Sequence, residues 1–295
     1  MLYLARNLAS TVIAVCMMFV STATPKRALA QNASAGANAV SRDCVKRLVS
    51  AYPDVLSHSS EDSLYWRNGV VMPLGGLTIP KNSQVLTTQE WEDFLNKATL
   101  RDQLAQCYPQ PQSNGANDSI EAPSRNFDPG RIRYEPFFRT MYGATEEEVG
   151  KHLAPVHWLA NIPEAAKNLL VTTVNGVNGK LKAVSDELEA LPPEYRPYLV
   201  EPAGTFKWRT IAGTNRQSNH SFGAAIDIAI KYSDYWHWKV SAEDQYPYKN
   251  RIPLAIVRIF EKHGFIWGGR WYHYDTMHFE YRPELLTKEC GCSQP

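Results

Sequence analysis

Three residues near the C-terminal end can hold a divalent cation together. They are His220, Asp227 and His278. Two neutral imidazoles and one ionised carboxylate, with a fourth position left for water, make the usual donor set of a catalytic zinc site. A histidine or aspartate taken singly is more often a hydrogen-bonded structural group than a ligand, so the case rests on how the chain presents the three together. Cobalt or nickel would suit the same donors less specifically.

The presentation follows from alternation. In Ala225 to Ile230, Ile226, Ile228 and Ile230 take one face, and Ala225, Asp227 and Ala229 the other. The isoleucines need the core, which turns Asp227 to a face of small side chains with space above the carboxylate. Met277, Phe279 and Tyr281 alternate in the same way with His278 and Glu280. His220 stands seven residues before Asp227 across Ser221-Phe222-Gly223, and Gly223 lets the chain fold back so that imidazole and carboxylate converge.

Ser218-Asn219-His220-Ser221-Phe222-Gly223-Ala224-Ala225-Ile226-Asp227 resembles the S-x-H-x-x-G-x-A-x-D motif of the zinc D-alanyl-D-alanine carboxypeptidases. That family includes vancomycin-resistance carboxypeptidases and endolysins that cut L-alanyl-D-glutamate bonds. Asp275-Thr276-Met277-His278-Phe279-Glu280 resembles its second motif, D-x-x-H-F-E. The resemblance covers about residues 177–286. It implies an α+β fold of the hedgehog/DD-peptidase type, a small antiparallel sheet with flanking helices. It also implies a zinc cofactor, peptidoglycan peptides as substrate, and His220, Asp227 and His278 as the ligands. Asp275 becomes the general base, with Ser218 and Glu280 supporting the ligands from behind. An upstream arginine, Arg209 or Arg216, would neutralise charge on the substrate or the developing oxyanion. Arg209 is weakly preferred because it falls in a predicted strand, Phe206 to Ile211. Carboxypeptidase and endopeptidase activity are both open. A zinc-bearing module of the hedgehog type without turnover is the alternative, and the acid at position 275 argues against it.

One conflict is visible in advance. Strict alternation would put Asp275 on the face of Met277 and Phe279, away from His278. Asp275 can act at the site only if the strand begins after it and the chain turns near Thr276. Tyr235, Trp236 and Trp238 are candidates to wall a substrate groove, although an aromatic cluster is more often core. His237, His263 and His273 are not counted among the ligands.

The remaining elements must hold these strands. Val177, Leu181, Val184, Leu188 and Leu191 predict a helix that Pro192-Pro193 stops, and Ile252 to His263 predicts a second, with Pro253 in its first turn and Gly264 past its end. Arg131 to Phe138 reads as a strand, with a turn at Gly143. Residues 131–295 form the expected peptidase domain. Residues 31–130 form a preceding, mainly helical region with an interruption at Trp66 to Val70. Pro109 to Ser119 reads as a surface loop, with Asn117-Asp118-Ser119 matching a glycosylation acceptor.

The chain has 295 residues and a net charge of +1, so there is no field that would favour nucleic acid. Residues 1–30 read as a signal peptide: Arg6, an apolar run from Thr11 to Val20, and Ala28-Leu29-Ala30 before Gln31. The run is too short for a stable span, and the expected location is the periplasm or the exterior. Removal of that segment leaves Cys44, Cys107, Cys290 and Cys292. Their even number predicts disulfides, with Cys44–Cys107 preferred and crossed pairing open.

Overall fold

The structure, a computed structural model, describes residues 42–109, 120–239 and 245–287. The signal segment, Asn117, Cys290 and Cys292 lie outside the described residues. Residues Asn38–Pro295 form one compact unit.

The chain opens with α1 (Arg42–Ala51), then an antiparallel sheet in the order β1 (Leu56–Ser59), β2 (Ser63–Trp66) and β3 (Val71–Pro73). The stretch read as an interruption is the turn between β2 and β3, so this region carries a small sheet between its helices as well as the helices expected. Next comes α2 (Thr88–Leu95), which begins where it does because Thr87 and Glu90 form a capping box: the Thr87 hydroxyl accepts from Glu90 N, and the Glu90 carboxylate accepts from Thr87 N at 2.8 Å.

Beyond it lie α3 (Glu135–Tyr142), α4 (Glu146–Gly150) and a hairpin of β4 (Leu153–Trp158) with β5 (Lys167–Thr172). The strand expected from Arg131 to Phe138 is not formed. Pro136 lies in the first turn of α3, where its missing N–H costs nothing, and Phe137, Phe138, Met141 and Tyr142 recur at helical spacing on its buried face. The two predicted helices are α5 (Val177–Glu189) and α6 (Leu254–Lys262). Pro253 sits one residue earlier than expected, at the cap of α6.

The third sheet holds the candidate ligands. Its order is β6 (Ala225–Asp227), β8 (His278–Tyr281), β7 (Phe265–Trp267), all antiparallel. β8 is therefore central. Phe279 points into the core, stacked on Phe260 of α6 at 3.8 Å between ring centres and lying beside Trp267 at 6.3 Å. β6 is shorter than expected. Ile226 and Ile228 are fully buried, but Ile230 is 51% exposed, because the chain leaves the sheet after Asp227 and enters a 3₁₀ turn at Ile230–Tyr232.

The strand expected from Phe206 to Ile211 is also absent. Isolated bridges Gly204↔Asp227 and Thr210↔Gln217 are all that ties this segment to its neighbours as sheet. The segment's backbone bonds run to Arg216, Ser218 and His220, a stretch that passes into the 3₁₀ turn at Asn219 and so gives no continuous partner edge.

The main apolar core runs from Cys44 to Leu285, with smaller buried clusters around Trp91 and Trp236. It joins α1 to the C-terminal sheet, and Tyr52 Oη donates to buried Glu284 at 2.6 Å. Cys44 and Cys107 are each disulfide-bonded. No helix among the described residues is long and apolar enough to cross a membrane.

Phe279→Ala should cost about 3–5 kcal/mol, the usual loss for truncating a buried aromatic side chain. Chemical denaturation should show the midpoint falling with the slope unchanged; a loss under about 1 kcal/mol would mean that the strand is held by something other than this packing.

Candidate metal centre

Asp227 and His278 are register partners across β6 and β8, and Ala225 and Glu280 are the next pair on the same face. Cross-strand partners share a face and stand close enough to touch. The small Ala225 leaves room for the larger Glu280 opposite. His220 enters from a 3₁₀ turn, Asn219–Phe222, capped by the Ser218 side chain, which accepts from His220 N at 3.4 Å. The turn ends at Gly223 with φ +64°, where an added Cβ would lie 2.6 Å from Leu153 Cδ2 and 3.0 Å from Thr172 N. Both the backbone angle and the space demand glycine there.

The three side chains meet at a point. His220 Nε2 is 3.1 Å from Asp227 Oδ1 and 3.2 Å from His278 Nδ1, and His278 Nδ1 is 3.0 Å from Asp227 Oδ1. Ligand atoms around a tetrahedral zinc stand roughly 3.3–3.6 Å apart, so the triangle needs to open by only a few tenths of an ångström. The other ring nitrogens are committed. His220 Nδ1 donates to Thr205 O at 2.6 Å, and His278 Nε2 donates to Glu280 Oε2 at 3.1 Å. Those acceptors fix both tautomers with a lone pair facing the triangle, as the outer hydrogen bonds of metal-binding histidines do.

The electrostatics ask for positive charge at the centre. Burial works against the charged form of His278, yet its hydrogen bonds to Asp227 and Glu280 push it up to about 10. Burial likewise opposes ionisation of Asp227, but His220 and His278 hold its carboxyl far below the usual range. Glu280 is kept ionised despite burial by Arg133, His278 and Arg282; its carboxylate accepts from Arg133 at 2.9 Å and from Arg282 at 3.0 Å. Lone pairs converging from two imidazoles and a carboxylate repel one another unless a proton or a cation sits among them. The donor set, its spacing and its second-nitrogen partners all fit zinc.

Asp275 lies just outside the triangle. β8 begins at His278, and the chain turns before it, with His278 N donating to Asp275 O at 3.2 Å. The alternation conflict therefore does not arise, since Asp275 precedes the strand. Its Oδ1 is buried and has no hydrogen-bond partner. Burial, and then the charge of Asp227, push its carboxyl up to about 7.

The arginines behave differently from each other. Arg216 is buried and its guanidinium is paired with Glu92 of α2, which also accepts from Arg131 at 2.7 Å. Arg209 is half-buried; its Nη1 makes one long bond, 3.4 Å, to Thr210 O. The preference for Arg209 cannot rest on a strand, because none is there. Among the aromatic residues, Trp238 is exposed and Tyr235 partly buried, but Trp236 is 5% exposed and belongs to a buried cluster with Tyr246 and Tyr274. Trp236 is thus core and not a groove wall. His273 is fully buried, its Nδ1 held by Asp128 at 2.6 Å, and it does not reach the triangle as a ligand. His263 pairs with Glu187 at 2.7 Å.

Sequence reasoning did not single out Glu92, Asp128, Arg131, Arg133 or Arg282. Glu92, Asp128, Arg131 and Arg133 are common charged residues far along the chain from the motifs; Arg282 stands only two residues after Glu280, but no spacing marks its role.

The fold is α+β, and it brings two histidines and one aspartate together as a donor set that could hold a metal ion. Residues 212–281 match the family model described as D-alanyl-D-alanine carboxypeptidase, and that segment holds both motifs. Arg216 falls inside the match and Arg209 just before it. Neither the curated proteins nor the solved structures gave a match to the chain.

Glu280→Gln should weaken metal affinity by roughly 10–100-fold, the usual effect of losing a hydrogen-bond partner behind a ligand. Competition with a chromophoric chelator would measure it. An unchanged affinity would show that Glu280 serves only Arg133 and Arg282.

Proposed function

We propose that this chain is an exported zinc peptidase that hydrolyses peptide bonds in peptidoglycan stem peptides, with His220, Asp227 and His278 as the metal ligands. The observation that carries the reading is the convergence of three donor atoms within 3.0–3.2 Å of one another beside a buried, unpartnered carboxylate oxygen. A bound zinc ion supplies Lewis-acid polarisation of the scissile carbonyl and a water made acidic enough to lose its proton near neutral pH.

The rest of the chemistry belongs to the chain. Asp275 takes one proton from the attacking water as the new C–O bond forms, and delivers it to the amide nitrogen as the C–N bond breaks. The products are a carboxylate and an amine. Its free oxygen and its raised proton affinity suit both halves of that transfer. A metal-binding module without turnover would need only the three ligands.

Arg209 is the arginine we assign to the substrate, to meet its carboxylate or the oxyanion. The reason is availability: Glu92 already occupies Arg216. Tyr235, partly buried, and Trp238, exposed, are the aromatic residues we assign to the substrate groove. Export is supported by the n-region, apolar run and Ala-Leu-Ala site of residues 1–30, together with the disulfide-bonded state of Cys44 and Cys107.

Mass spectrometry of muropeptides incubated with the purified protein tests the activity. Loss of a terminal D-alanine identifies a carboxypeptidase, an internal cut identifies an endopeptidase, and an unchanged digest overturns the reading. Elemental analysis should find about one zinc per wild-type chain and none in His220→Ala. Equal metal content in the two would remove His220 from the ligand set.

Asp275→Asn keeps the shape of the side chain but cannot accept the proton. It should retain zinc and fold while losing at least ~100-fold in kcat. Near wild-type turnover would move the base elsewhere.

A further inference from the structure

Tyr235 and Asp275 face each other across an isolated antiparallel bridge. The flanking bonds run from Trp236 N to Tyr274 O and from Thr276 N to Asp234 O, both 3.0 Å. That pattern makes Tyr235 and Asp275 a non-hydrogen-bonded pair, whose Cα atoms stand about 4.5 Å apart with both side chains on one face. The phenol therefore leaves the backbone beside the carboxyl that we assign as the base.

The bridge is firmly anchored. Thr276 Oγ1 accepts from Asp234 N at 2.7 Å, Thr276 O accepts from Trp267 Nε1 at 2.9 Å, and the Asp234 carboxylate accepts from Arg251 at 3.0 Å. The Tyr235 ring is held edge-on by Trp236 and Trp238, with centres 6.2 and 6.0 Å away. A ring fixed at both its backbone and its faces aims its hydroxyl with little freedom to lose.

That hydroxyl makes no hydrogen bond to any described residue, and Oδ1 of Asp275 has none either. A buried carboxylate oxygen without a partner marks a place where something else binds, and the partly exposed phenol stands beside that carboxyl. Burial, and then the nearby Asp275 charge, push the phenol up to about 12. It therefore stays protonated near neutral pH and acts as a donor.

We propose that Tyr235 is a further catalytic residue: its hydroxyl donates a hydrogen bond to the scissile carbonyl oxygen as negative charge builds there. No proton is transferred in this step. The donor is fixed in place before the charge develops, which is the condition under which such a bond favours the transition state over the ground state. The assignment rests on the peptidase reading above.

Tyr235→Phe in the zinc-loaded full chain tests it. Removing one such donor should lower kcat roughly 100-fold, with KM, zinc content and Tm close to wild type. A phosphinate analogue of the substrate dipeptide should lose affinity by a similar factor, because its anionic oxygen stands where the charge would develop. If kcat is unchanged, or if KM alone rises, Tyr235 is only a wall of the site and the proposal is overturned. A variant that loses zinc or melts early overturns it too, since the role would then be structural. A wild-type chain inactive on muropeptides removes the peptidase reading itself; an active wild type with an equally active Phe variant removes only this one.

Discussion

The structure depends on a charge requirement at one point. Asp227 and His278 are paired across two antiparallel strands, and His220 is turned onto them by a tight bend that only glycine permits. Once those three donor atoms lie about 3 Å apart, something positive has to sit among them. Everything near the site reads as a response. Thr205 O and Glu280 take the outer nitrogens and leave the inner lone pairs free. Arg133 and Arg282 then hold Glu280 ionised where it would otherwise be costly to bury.

Those arginines carry the constraint outward. Arg282 also donates to Glu284 at 2.6 Å, and Glu284 accepts from Tyr52 at the end of α1. On another side, Glu92 of α2 joins Arg131 and Arg216, and Arg131 lies 3.4 Å from Asp128, the partner of His273. The region before residue 131 thus supplies counter-charges to the segment that bears the motifs, and it shares the same apolar core. Buried charges of this kind are weak sources of net stability but strict about their partners. Chain segments far apart in sequence are thereby obliged to sit in one arrangement around the centre.

The turn before β8 shows how backbone geometry can serve chemistry. A strand continued back through Asp275 would have carried it to the apolar face with Phe279. The chain bends instead, and a bridge to Tyr235 fixes the bend. The acid is left with a bare oxygen beside the donor triangle, which a packing role alone would not require.

The convergence of His220, Asp227 and His278 was legible in the sequence because its logic is local. Alternation with Ile226 and Phe279 decides which way Asp227 and His278 point, and Gly223 decides that His220 can return to them. α5 and α6 were legible for the same reason, since 3.6-residue periodicity and proline boundaries are properties of a short stretch. The strand read at Phe206 to Ile211 failed because a strand needs a continuous partner edge, and the stretch it bonds to, Arg216 to His220, passes into a 3₁₀ turn. Ile230 was read as core because nothing in the alternation marks the end of β6 at Asp227. Arg131 to Phe138 alternates poorly enough to fit two periods, and the burial of Phe137, Phe138, Met141 and Tyr142 selected the helix. Trp236 looked like a groove residue, but it packs with Tyr246 and Tyr274. The tautomers of both histidines, the commitment of Arg216 to Glu92 and the pairing of Tyr235 with Asp275 were decided only by tertiary structure. The Arg216 and Tyr235 pairings join residues 124 and 40 positions apart, and even the nearer acceptors, Thr205 for His220 and Glu280 for His278, are selected by how the backbone folds rather than by a local pattern.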